Sequence, residues 1–309
     1  MNDGLVGAAR SAVWGPLSSR LRASRLREPA IRTYRTVART VLTGPPPKVF
    51  ANSIPKAGTH LLTQLLAEVP KLWFCGEHVI DRPFYEGADR PGADEDDAPV
   101  DPAAFRADRL AAVLAGVRDG QYVTAHMAGF PAVRELLQTQ GFASLLMIRD
   151  PRDMAVSMAH YFTDNPRLHT YPRFHDEMTT FDERLHAVIA GLPPVPGSRR
   201  VPPMGERLAK YTDWLSDGRT LVVRFEDLVG AAGGGSDDAQ HAAVAAVLRA
   251  CERYRSQEQV AQVAGAVFAP HAATFRRGRI GAWRDQFTPE HEAALEATAP
   301  GQVAALGYA

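Results

Sequence analysis

Short apolar runs bounded by turn-forming residues recur along the chain at 121–126, 143–148 and 220–225, each the length of one buried strand. A fourth begins at Val49, just after Gly44-Pro45-Pro46-Pro47, where three consecutive prolines end any preceding helix. Between them lie stretches with apolar residues on one helical face, at 61–69, 105–118, 152–162, 206–216 and 240–256. This alternation predicts an α/β fold with a mostly parallel central sheet and helices on both faces. The segment 81–102, rich in Pro, Gly and Asp, reads as a solvated loop. Residues 48–309 read as a single domain, preceded by a basic helical extension over 1–47. In such sheets ligands gather beyond the carboxyl ends of the strands. That rule singles out Lys56, His126, Arg149 and the segment after Phe225.

The first strand runs into Ile54-Pro55-Lys56-Ala57-Gly58-Thr59-His60-Leu61 and then into a helix, the architecture of a phosphate cradle. A helix start leaves N–H groups without intrahelical partners and carries a partial positive charge, so a bound oxyanion satisfies both. Gly58 lets the backbone approach closely, Lys56 adds a full charge and the Thr59 hydroxyl adds a donor. The loop is P-loop-like without being a Walker sequence. Its lysine precedes the glycine by two positions, and the upstream glycine and the Gly-Lys-Ser/Thr order are both missing. Taken alone, the loop leaves a kinase, a transferase and a noncatalytic nucleotide binder all open.

Composition narrows the partners. The 309 residues contain 35 Lys and Arg against 35 Asp and Glu, so no net field draws the protein to nucleic acid and anion binding must come from local placement. Cys75 and Cys251 make neither a disulfide framework nor a zinc-ligand spacing, which suits a reducing, cytoplasmic location and no bound metal. No apolar run approaches the roughly 20 residues of a membrane span, and the N-terminus lacks the pattern of a secretory signal. The first 48 residues are strongly basic, from Arg10 to Lys48 against only Asp3 and Glu28. Two readings of this extension stand: a solvated helix packed on the body, or an interfacial helix meeting anionic lipid or an amphiphilic substrate through Leu21, Leu26, Ile31, Val37 and Val41.

Two further segments complete a constellation. Arg149-Asp150-Pro151-Arg152-Asp153-Met154-Ala155-Val156-Ser157 follows the third strand, with proline placed to start a helix. Phe275-Arg276-Arg277-Gly278-Arg279-Ile280-Gly281-Ala282-Trp283 gathers arginines around a glycine, a combination suited to a second phosphate. The segments 54–61, 149–157, 223–228 and 276–283 stand in the order of the motifs of the PAPS-dependent sulfotransferases, and the chain from about 48 to 290 resembles that family.

The resemblance implies PAPS as sulfate donor and no metal. Lys56, Ala57, Gly58, Thr59 and His60 would hold the 5′-phosphosulfate; Arg149, Ser157, Arg276, Arg277 and Gly278 would grip the 3′-phosphate. The family's base is a histidine on a strand between the first two motifs, the place of Thr124-Ala125-His126, which makes His126 the catalytic base and His78 its competitor. Lys56 would stabilise the leaving group. Departures are also plain. Leu61 replaces the aromatic residue that stacks on adenine, Phe225 the tyrosine before Glu-Asp, His60 the second threonine and Ala282 the aspartate before tryptophan. The implied acceptor is a hydroxyl on a small or amphiphilic molecule, with selectivity expected from loops at 73–78, 81–105 and 162–181. A P-loop kinase using ATP is the alternative enzyme.

Overall fold

The computed structural model describes residues 33, 34, 36, 38, 41–85, 102–196, 198–267 and 279–308. Five strands form one sheet: β1 (Lys48–Ser53), β2 (Trp73–Ile80), β3 (Gln121–His126), β4 (Phe142–Ile148) and β5 (Thr220–Arg224). Their order is β2-β3-β1-β4-β5, and every neighbouring pair is parallel. The expected parallel α/β sheet is therefore present, with β1 at its centre. There Val49, Phe50, Ala51, Asn52 and Ser53 are all buried, because a central parallel strand is covered on both faces.

The principal helices are α1 (Thr59–Glu68), α2 (Ala107–Leu114), α3 (Pro131–Thr139), α4 (Pro151–Asp164), α5 (Phe181–Ala190), α6 (Met204–Thr212), α7 (Asp237–Ala250), α8 (Gln257–Val267) and α9 (Pro289–Thr298). Local signals explain several boundaries. Pro151 occupies the first turn of α4 while the Asp150 carboxylate accepts from Arg152 N–H at 2.9 Å, a proline start combined with a side-chain cap. Thr180 and Glu183 form a reciprocal capping box on α5.

The structure corrects three expectations. Residues 73–78 are not a loop but most of β2, an edge strand whose apolar run is interrupted by Gly76, at φ 89°, and by a register shift between Phe74 and His78. The helix expected at 240–256 ends at Ala250, and Glu252 takes a left-handed φ of 54° before α8 begins. The helix expected at 206–216 is α-helical only to Thr212 and finishes as a 3₁₀ turn over Asp213–Leu215.

The proline segment before β1 is anchored by Arg253, which is buried and donates to the carbonyls of Pro45, Pro46 and Pro70. Upstream, Gln121 donates to the carbonyls of Ala38 and Leu42 at 2.6 and 2.7 Å, and Tyr34 donates to Phe74 O at 2.8 Å. This part of the extension packs on the sheet. Residues 1–32, with most of the proposed membrane-facing side chains, lie outside the described residues, as do 86–101, 268–278 and therefore Arg276, Arg277 and Gly278. No helix among the described residues is long and apolar enough to cross a membrane.

Candidate active site

The loop after β1 is built by two residues in unusual backbone conformations. Lys56 has φ 69°, and Gly58, at φ 112°, is the N-cap of α1. Glycine is required there twice over. A Cβ would meet Phe225 Cδ2 at 2.8 Å and Met147 Cε at 2.9 Å, and the conformation itself disfavours any side chain. The Gly58 carbonyl accepts from Leu61 and Leu62 N–H at 2.9 and 3.1 Å, starting the helix directly behind the loop. With no side chain at the cap, the first turn of α1 is capped by no side chain of its own N-cap residue, the situation that suits an oxyanion.

His126 ends β3 beside this loop. Its Nδ1 lies 2.7 Å from the Ser53 carbonyl oxygen and 3.2 Å from Ser53 Oγ, which in turn sits 2.7 Å from Thr59 Oγ1. A carbonyl can only accept, so Nδ1 must carry the proton, and the basic atom of the neutral ring is Nε2. His78, on the neighbouring strand, stands edge-on to His126 with ring centroids 4.8 Å apart, and its own Nδ1 is 2.9 Å from Thr124 Oγ1. The exit of β3 is fixed by a two-point amide clamp. Asn52 Nδ2 donates to Met127 O at 2.8 Å, and Asn52 Oδ1 accepts from Met127 N at 2.9 Å. Sequence reasoning missed both Asn52 and Ser53. Their signal was two polar residues closing an otherwise apolar central strand, which have to find partners once buried.

The second half of the site forms where β4 ends. The Arg149 guanidinium lies over the Phe225 ring, 4.2 Å from its centroid, and 3.6 Å from Asp153 Oδ2. Burial works against its charge and lowers its pKa, while Asp153 and Glu226 oppose that shift. Phe225 therefore sits between the glycine of the first loop and the arginine of the second, coupling the two by packing. Asp153 also accepts from Gly281 and Trp283 N–H, both at 2.9 Å, so the segment directly following 276–278 is tied to α4 next to Arg149. Glu226 accepts from Asp150 N–H at 2.9 Å and from Tyr308 Oη at 2.7 Å, bracing the same corner.

One face of α4 connects the halves, because Asp153, Ser157 and Tyr161 recur at intervals of four. The Lys56 ammonium lies over the Tyr161 ring at 4.0 Å from its centroid. Ser157 is half-buried between those positions. Ala57 is buried and His60 exposed, whereas Leu61 belongs to the core. The structure thus groups Lys56, Ala57, Gly58 and Thr59 with His126, and Phe225 with Arg149. A small cavity of about 10 Å³ borders His126, walled by Ile54 and Pro55, by Met154 and Met158 of α4, and by α6. Among the described residues no cluster of three or more His, Cys, Asp or Glu could hold a metal ion.

No protein-family model matches the chain, and no curated protein matches it by sequence. Solved structures do. A mouse sulfotransferase, SULT7A1, complexed with PAP, aligns with a TM-score of 0.53 over 89% of this chain and 94% of its own, at 15% identity. Retinol dehydratase in complex with androsterone and inactive cofactor PAP aligns over 88% of this chain and 85% of its own, also at 15% identity, with a TM-score of 0.49. The match to the mouse enzyme covers nearly all of both chains, and this chain has the sulfotransferase fold.

Proposed function

We propose that the protein is a PAPS-dependent sulfotransferase that moves a sulfuryl group to a hydroxyl of a small or amphiphilic acceptor and releases PAP. The observation that supports this reading is the 2.7 Å contact from His126 Nδ1 to the Ser53 carbonyl, which makes Nε2 the basic atom of the neutral ring beside a helix start suited to an oxyanion. In the proposed reaction the acceptor oxygen attacks sulfur in line as Nε2 takes its proton. The new S–O bond forms while the bond from sulfur to the bridging phosphate oxygen breaks. The Ser53 carbonyl stabilises the imidazolium, and Lys56 neutralises the charge growing on the departing phosphate. Lys56 must leave the Tyr161 ring to do so, a rotation within reach of a flexible lysine.

PAPS fits the chain's own donors. Gly58, Thr59 and the α1 N-terminus suit the 5′-phosphosulfate, while Arg149 and Ser157, with Arg276, Arg277 and Gly278, are assigned to the 3′-phosphate. A transferring sulfuryl group carries less negative charge than a phosphoryl group, so these donors suffice without magnesium. The test is release of PAP from PAPS in the presence of a panel of phenols and alcohols and a chelator, with mass spectrometry for products gaining one sulfonate. Turnover that instead needs ATP and magnesium would replace this reading with the kinase; PAP binding without any product would replace it with a noncatalytic binder.

A further inference from the structure

Helix α6 turns two basic side chains inward, and the proposed transfer chemistry uses neither. Arg207 and Lys210, three residues apart, share a helix face and are only 5% and 7% exposed. Both border the small cavity that also touches His126. Arg207 is held in place, its Nε donating to Pro202 O at 2.9 Å and its guanidinium lying toward the Phe162 ring. Lys210 is different. Among the described residues no acceptor or carboxylate lies within hydrogen-bond or ion-pair distance of its ammonium, and the carboxylate nearest in sequence, Glu206, is taken in a two-point fork by Arg200. Glu206 feels the Lys210 charge at longer range but is already engaged by Arg200, so an anion entering the cavity would complete the pairing of this largely buried side chain. The rest of the wall is apolar and adaptable, with Met154, Met158 and Met204. A cavity of about 10 Å³ admits one water, so a larger guest enters by moving those flexible thioethers.

We propose that Lys210, supported by Arg207, is an acceptor subsite for an anionic group, so that the acceptor is a hydroxy acid with an apolar body whose carboxylate meets the ammonium while its hydroxyl faces His126. This deepens the sulfotransferase reading and rests on it for the hydroxyl. Lys56 and the α1 N-terminus already serve the donor's oxyanions, which leaves Lys210 to the acceptor.

The experiment measures binding to the PAP-saturated protein by calorimetry. The probes are 4-hydroxybenzoate, 4-hydroxyphenylacetate, 3-(4-hydroxyphenyl)propionate and 12-hydroxydodecanoate, each paired with its methyl ester. At least one acid is expected to bind about tenfold or more tightly than its ester, the scale of a charge-assisted hydrogen bond. Lys210→Gln should erase that ratio, and Lys210→Arg should keep most of it; thermal melts of both variants establish that they are folded. Equal affinities for acids and esters, a ratio that survives in Lys210→Gln, or no binding by any acid would overturn the proposal. So would a rise in the KM for PAPS in Lys210→Gln at an unchanged acid-to-ester ratio, since the ammonium would then serve the donor's sulfuryl oxygens. Failure of the underlying reading is read separately, as absence of PAP binding in the wild type; the acid-to-ester ratio is then measured on the free protein.

Discussion

The carbonyl oxygen of Ser53 and Nδ1 of His126, separated by 73 positions in sequence, lie 2.7 Å apart where two neighbouring parallel strands end. Because β1 and β3 pair in parallel register, Asn52 beside Ala125, their carboxyl ends arrive at the same level of the sheet. The last carbonyl of one strand then meets the last side chain of the other. That contact sets which ring nitrogen holds the proton and so gives the histidine a chemical direction.

His126→Ala should lower turnover by about 10²–10⁴-fold, the usual contribution of a general base, while the affinity for PAP stays within a few-fold of wild type. Steady-state rates together with PAP titration check both halves. Near-normal turnover would sink the assignment of the base.

Asn52→Leu removes the clamp on Met127 and leaves a buried N–H and a buried C=O each short of one partner. A loss of about 1–3 kcal/mol in unfolding free energy is expected, accompanied by a fall in kcat as the exit of β3 relaxes around His126. Urea denaturation gives the first quantity; a stability unchanged from wild type would contradict the clamp.

Gly58→Ala places a methyl group against Phe225 and Met147 in a backbone conformation that side chains disfavour. The strain should amount to about 1–3 kcal/mol and weaken PAP binding, since the displaced Phe225 ring also supports Arg149. Thermal melts with and without PAP should show both a lower Tm and a smaller stabilisation by ligand.

Asp153→Ala leaves Arg149 without its nearest carboxylate and the N–H groups of Gly281 and Trp283 without their acceptor. Breaking a buried pair of this kind costs about 3–5 kcal/mol. PAP affinity should fall even though Asp153 is not assigned to the ligand, because the 279–283 segment leads directly out of the one carrying Arg276, Arg277 and Gly278. Unchanged PAP affinity in a folded variant would separate that segment from the nucleotide site.

Alkaline pH should destabilise the fold before it hydrolyses anything. Burial pushes the Cys251 thiol up to about 12, against the pull of Arg253, and burial likewise raises the Tyr34 phenol to about 12. Folded pKa values above the unfolded ones mean that the folded state holds these protons more tightly. Their contribution is complete below about pH 9 for the thiol and about pH 10 for the phenol, and is lost as pH rises toward 12. Denaturation midpoints should fall between about pH 9 and pH 12, and Cys251→Ala should flatten the lower part of that fall. A midpoint that is constant over this range would contradict the assignment.

Much of the fold was legible because its signals are local. Apolar runs at 121–126, 143–148 and 220–225 are strands within a residue of their expected limits, since a short continuous apolar run bounded by turn-forming residues needs only short-range pattern to be recognised. The strand–turn–helix at Lys56 to Thr59 was equally plain, as its glycine, lysine and helix start are contiguous. β2 was not, because Gly76 and a register shift break its alternation, and only pairing with β3 holds it extended.

The amino-acid sequence by itself determined the parallel α/β class, the strand–turn–helix loop from Lys56 to Thr59, and the candidacy of His126 and Arg149 at strand ends. The tertiary structure alone decided that Ser53 orients His126, that Phe225 packs between Gly58 and Arg149, that Asp153 anchors the chain at Gly281 and Trp283, and that Lys210 turns inward beside the same histidine. The first group depends on neighbours a few residues away, where backbone geometry and apolar periodicity act directly. The second depends on hydrogen bonds, packing and desolvation between residues tens of positions apart, and those exist only once the sheet has brought its strand ends together.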